Sequence, residues 1–147
     1  MRALVVLTFM ALTTVACGGD GAGTAPTPTI PNVTGNYSGA MSIFFPELGD
    51  RISCPTTTTV TQNGGTVTFS PMQLSGQCQG MSVPLGQTTI DATGALPGES
   101  GSYHDSSCGG VYNYTASGGF FGRELRWSAI YISSVCYNMN VSINLSR

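Results

Sequence analysis

The chain has 147 residues, with five Lys plus Arg against seven Asp plus Glu, a formal net charge of −2 and no lysine. So little positive charge leaves no basic patch for phosphate contacts and argues against a nucleic-acid partner. Behind its N-terminal segment the chain is long enough for one domain of ordinary size, and Ser, Thr, Asn and Gln must supply most of the solvated surface.

Arg2 is followed by an apolar stretch from Ala3 to Ala16, with small residues at Ala16, Gly18 and Gly19 around Cys17. That is the layout of a secretory signal. A helix needs about 20 residues to cross roughly 30 Å of hydrocarbon, so residues 1–16 are expected to be a cleaved signal helix and not a permanent span.

Thr14-Val15-Ala16-Cys17 resembles the lipobox of bacterial lipoproteins, in which a small residue precedes the cysteine that is lipidated after cleavage. Thr14 stands where that family usually carries Leu, which keeps the ordinary signal peptidase as an alternative, and either route exports the chain. The resemblance implies that Cys17 carries the lipid and ties the mature protein to a membrane. With Gly18 and not Asp behind it, the resemblance further implies the outer membrane of the cell envelope. Residues 17–33 then form the lipidated cysteine and a disordered Gly/Thr/Pro tether spanning on the order of 20 Å.

Residues 34–147 read as all-β, because alternation of apolar and polar side chains dominates and helix-spaced apolar faces are missing. In the first strand Tyr37, Gly39, Met41 and Ile43 oppose Asn36, Ser38, Ala40 and Ser42. The threonine run before Val60 suits an exposed strand face. Asn63-Gly64, Asp91 to Gly94 and Ser117-Gly118-Gly119 mark turns, where Gly and Asn accept a positive φ. In the last strand Tyr137, Met139, Val141, Ile143 and Leu145 face one way. Eight strands are expected near 36–44, 56–62, 66–70, 79–91 (broken by Pro84 and Gly86), 95–104, 110–117, 123–132 and 137–146. Residues 35–91 and 92–147 repeat one plan of four strands each.

Cys54, Cys78, Cys108 and Cys136 are an even set in an exported chain, and no C-x-x-C spacing suggests zinc, so two disulfides and no metal are expected. If the strands run up and down, the four cysteines lie in loops at one end of the sheet, opposite the tether. Neighbouring loops favour Cys54 with Cys78 and Cys108 with Cys136, followed by the shifted pairing and then the crossed one. Closure of strand one on strand eight removes exposed edges. The expected fold is therefore an eight-stranded antiparallel up-and-down barrel, with a β-sandwich as the alternative. Gly35-Asn36-Tyr37 resembles the Gly-x-Trp opening of lipocalins, with Tyr in place of Trp, which implies the same barrel shape.

Three groups of residues are candidates for function. Glu47, Asp50, Arg51, His104 and Asp105 meet at the cysteine-bearing end as a polar rim. Tyr112, Tyr114, Leu125, Trp127 and Tyr131 are placed to line a cavity or fill the core, since such a barrel does either. Phe120-Phe121 at the tether end is expected to plug the barrel, with one ring turned outward. His104-Asp105-Ser106-Ser107 holds the residue types of a hydrolytic triad, but neighbours in sequence do not easily adopt the relay geometry, so no catalytic residue is assigned. No cofactor is expected. The sequence thus points to a non-enzymatic envelope module for a small apolar ligand or an envelope protein, against a structural or protein-interaction domain and a hydrolase acting at the cysteine-bearing end.

Overall fold

A single antiparallel sheet accounts for nearly all regular structure in the computed structural model, which describes residues 28–147 other than Ser82 and Pro84. The expected signal segment, lipidated Cys17 and tether up to residue 27 lie outside the described residues. In chain order the strands are β1 (Gly35–Phe45), β2 (Asp50–Asn63), β3 (Thr66–Phe69), β4 (Gln73–Leu74), β5 (Gln87–Thr89), β6 (Ala95–Asp105), β7 (Gly110–Phe121), β8 (Glu124–Ile132) and β9 (Met139–Ser146). Their order across the sheet is β5-β3-β2-β1-β9-β8-β7-β6, with β4 also pairing with β2. The chain is all-β, and the sheet curls into a nearly closed barrel.

Closure runs through the first and last strands, from Ser38 opposite Ser146 to Phe44 opposite Asn140. A glycine makes this approach feasible, because a Cβ on Gly39 would collide with the backbone carbonyl of Asn144. The break in the barrel falls between β5 and β6, where the first half of the chain, β1 to β5, meets the second, β6 to β9. They share the Asp91–Gly94 turn, and the Asp91 amide donates to the Ala95 carbonyl at 3.2 Å, but no ladder joins the two strands beyond it.

The alternating side chains meet in one core. Tyr37, Met41, Val60, Leu125, Ile143 and Leu145 are among its most deeply buried members. Each large apolar side chain removed from water contributes roughly 1.5–3 kcal/mol, which is what holds the inward set of every strand to the same face. At the tether end Phe120 fills the interior, edge-on to Tyr37 at 5.7 Å and stacked on Phe69 at 6.1 Å. Phe121, next in the chain, points outward with Arg126 5.6 Å from its ring centre. The plug and its outward partner are as the alternation predicts.

Both preferred disulfides are present, with Cα–Cα separations of 5.8 Å for Cys54–Cys78 and 5.9 Å for Cys108–Cys136. The four sulfurs do not share one rim, however. β2 begins at Asp50 and not near 56, so Cys54 is an inward strand residue opposite Met41, and the first bridge lies down the barrel wall. Only Cys108–Cys136 joins rim loops, those between β6 and β7 and between β8 and β9.

The expected long strand over 79–91 is reduced to β5. Gly76, Gly80 and Gly86 have φ of 67°, 88° and 36°, and Cys78 is tied to Cys54, so the chain leaves the sheet through a short 3-10 turn at Gly76–Cys78 and rejoins it only at Gln87. The threonine run also splits by parity. Thr56 and Thr58 are buried, with Thr58 Oγ1 donating to the Ser70 carbonyl at 2.9 Å, while Thr57 and Thr59 face outward.

The last residues of the expected tether are part of the fold. Val33 is 1% exposed, its amide donates to Gln62 Oε1 at 2.8 Å, and its carbonyl accepts from the Tyr37 hydroxyl at 2.9 Å. Arg147 Nη1 donates to the Thr34 carbonyl at 2.7 Å, binding the two ends of the domain together.

Candidate functional site: the open wall of β6

Every other long strand buries alternate residues, but β6 is exposed on both faces from Pro97 to His104. Among the described residues, none from 79 to 86 belongs to a strand, so this half of β6 pairs with β7 alone. Within the strand, Pro97-Gly98 form a bulge where the register shifts between Leu96 and Glu99. Proline suits an edge position because it has no amide to offer a neighbouring ladder. A groove of about 350 Å³ separates Pro97, Gly98 and Glu99 from Leu85 to Thr88.

Register with β7 sets the inner face. Glu99, Gly101 and Tyr103 lie opposite Ala116, Tyr114 and Tyr112, which belong to the inward set. Four tyrosines therefore gather on one wall. Tyr103 stacks on Tyr112 at 5.4 Å, and Tyr131 packs against Tyr103, Tyr112 and Tyr114 at 6.0, 6.2 and 5.5 Å. The Tyr114 hydroxyl donates to Glu99 Oε1 at 2.9 Å, and that of Tyr112 to the Tyr137 carbonyl at 2.8 Å.

These phenols resist ionisation. Burial, then the neighbouring Tyr103, Tyr114 and Glu99, pushes Tyr131 up to about 12. Burial followed by the Asp105 charge raises Tyr103, and burial followed by Asp105 and Glu47 raises Tyr112. For Tyr114 the largest cause is its hydrogen bond to Glu99. The wall is thus aromatic and sits in a negative field.

All five residues of the expected polar rim lie at the cysteine-bearing end, but each serves its own neighbourhood. Glu47 Oε1 accepts from the Asn138 amide at 3.2 Å and from its side chain, clipping two loops together. Asp50 and Arg51 open β2, with the Arg51 guanidinium 5.2 Å from the Phe44 ring centre. His104 lies on the outer face, in register with exposed Val111. Asp105 accepts from the Ser107 amide at 2.8 Å and from its hydroxyl, and these bonds hold its carboxyl below the usual range. With His104 and Asp105 on opposite faces, the His-Asp-Ser segment forms no relay. No three potential metal ligands cluster among the described residues, and no helix among them is long and apolar enough to cross a membrane.

The five expected interior residues all point inward. Leu125, Trp127, Tyr112 and Tyr131 belong to the packed core and Tyr114 packs against it, and the three tyrosines form the part of that core that continues into the tyrosine wall. Glu99 and Tyr103 were not among the expected site residues. Their signal was the parity of β6 against Tyr112 and Tyr114. On the outer face beside this wall, Val111, Ile130 and Ile132 are exposed, as are Val135, Tyr137 and Leu48 on rim loops.

Comparison with protein-family models, curated proteins and solved structures returns no match to this chain.

Proposed function

We propose that this chain is an exported lipoprotein, held in the outer membrane of the cell envelope through Cys17, whose barrel is a non-enzymatic binding module that works at the open wall of β6. The observation that carries this reading is the run of exposed residues from Pro97 to His104 on a strand whose inner face holds the tyrosine wall. An aromatic side chain left at a surface, as Tyr103 is, offers large contact area at low entropic cost, with a hydroxyl to orient what it touches, and the buried Tyr112 and Tyr131 support it from behind. A central ligand cavity finds less support, because the core residues form a single packed cluster.

An envelope protein suits the site better than a small apolar ligand. The exposed Val111, Ile130 and Ile132 extend the surface around the outer side of the same wall, and apolar groups exposed together mark protein contacts. The tether enters at the other end of the barrel, so the anchor leaves this end free.

A photo-crosslinking residue placed at Tyr103 in the full chain in cells tests the reading, with the same residue at outward-facing Thr57 as control. Adducts of any class at 103 and none at 57 are expected. Absence of adducts at 103, or equal labelling at both positions, contradicts the reading. Radiolabelled palmitate should enter the wild-type chain and not Cys17→Ser, and equal labelling of the two overturns the lipid anchor.

A further inference from the structure

We propose that the open edge of β6, from Glu99 to Asp105, takes one extended, basic segment of a partner polypeptide as an added strand. This rests on the binding-module reading above and names its partner class.

Three observations select that occupant. The first is the backbone. β6 ends the sheet order, and among the described residues its Glu99–His104 amides and carbonyls pair with β7 alone. An edge of this kind repeats its donors and acceptors at the spacing of an extended chain, so a polypeptide strand matches it along its length where a compact ligand matches one or two groups.

The second is charge. Glu99 and Asp105 lie on the inner face of β6, and Glu47 stands near Tyr112 at the rim. Among the described residues no arginine lies beside them, and His104, next to Asp105 in the chain, sits on the outer face. Arg51 lies against Phe44, while Arg123, Arg126 and Arg147 are at the tether end, around the β7–β8 turn and the C-terminus. A cationic side chain on the added strand would meet carboxylates and the exposed ring of Tyr103 together, which strengthens attraction to either alone.

The third is room. β5 and β6 part after their shared turn, and the groove of about 350 Å³ at Pro97–Glu99 lies beside the lower end of the free edge. The Pro97-Gly98 bulge closes the ladder at that end, and the Asp105–Gly109 turn closes it at the other. The edge accommodates a strand of about seven residues.

The test uses the exported protein in detergent and a blocked seven-residue peptide of alternating lysine and valine. Two comparison peptides carry glutamate for lysine, or N-methyl groups on alternate amides. Binding is followed by the amide resonances of β6. The lysine peptide should saturate with shifts concentrated on residues 99–105, and each comparison peptide should bind at least tenfold more weakly. Glu99→Gln should weaken the lysine peptide severalfold while leaving the unbound spectrum otherwise unchanged.

Equal binding of the N-methylated peptide overturns strand addition, and equal binding of the glutamate peptide overturns the charge selection. Self-association of the protein through residues 99–105, seen by sedimentation and by the same resonances, makes a second copy the occupant and also overturns the proposal. If the peptides fail while Tyr103 crosslinks to a glycan or small molecule in cells, the strand proposal falls and the binding-module reading stands.

Discussion

The ring of Tyr114 lies over the bare Cα of Gly101. A Cβ there would sit 2.8 Å from its hydroxyl oxygen and 2.9 and 3.0 Å from two of its ring carbons, and the hydroxyl donates to Glu99 at 2.9 Å. The inner face of β6 at Gly101 is thus covered by a side chain of the neighbouring strand, while its outer edge stays unpaired among the described residues.

Gly101→Ala should therefore push the Tyr114 ring aside and break its bond to Glu99. The expected loss is about 1 kcal/mol, the usual size of a surface-proximal contact and hydrogen bond together. Tyr114→Phe, which keeps the ring, should cost less. Urea unfolding of the two variants and of their combination checks this, and the combined loss should fall short of the sum because both changes act on one contact.

Ile143 and Ile130 sit on adjacent strands and differ in face. Ile143 is 0% exposed on the closure strand β9, and Ile130 is 51% exposed on the outside of β8. Ile143→Ala should cost about 2–5 kcal/mol through lost burial and a residual cavity. Ile130→Ala should stay within about 0.5 kcal/mol. Denaturant midpoints decide the matter, and equal losses would mean that the strand faces are assigned the wrong way round.

The two disulfides should separate in their response to a dithiol reductant. Cys54 and Cys78 are both 0% exposed, whereas Cys108 lies open on a rim loop. Under native conditions Cys108–Cys136 should be reduced and alkylated first, with Cys54–Cys78 following only on unfolding, as mass spectrometry of timed samples would record. Their loops are of similar length, so closure entropy contributes roughly 3–4 kcal/mol to each. Replacing the Cys54–Cys78 pair with alanines should nevertheless cost more, because it also empties a buried site.

Alkali should loosen the tyrosine wall. Tyr131 ionises near 12 in the folded protein, above the ordinary value of about 10. Its contribution is complete below pH 10 and is lost as pH rises from 10 through 12, because the unfolded chain has then released a proton that the folded one still holds. Ultraviolet titration should show late ionisation of Tyr103, Tyr112, Tyr114 and Tyr131, and Tyr131→Phe should flatten the fall in stability over that range. An unchanged fall in that variant would assign it to other groups.

Alternation made most of this fold legible. Met139-to-Leu145 and Tyr37-to-Ile43 fix the faces of the two strands that close the barrel, although Tyr137, expected to share the inward face, stays exposed on a rim loop. The preferred cysteine pairs form although Cys54 lies within a strand and not in a rim loop. What period two could not reveal was where pairing fails. Residues 79–91 carry enough apolar side chains to read as a strand, but Gly80 and Gly86 take positive φ and the bridge from Cys78 pulls the chain inward. The open wall is the consequence of that failure. Tyr112, Tyr114 and Tyr131 were legible as inward residues, whereas Glu99 and Tyr103 became site residues only once their neighbour across the gap was gone.

Amide hydrogen exchange along β6 tests the open wall most directly. Protection should alternate from Glu99 to His104, with amides bonded to β7 protected and those between them exchanging rapidly, while β1 and β9 are protected on both sides along their shared ladder. Uniform protection of β6 over the same residues would mean a barrel closed at β5 and β6, and would contradict the open wall.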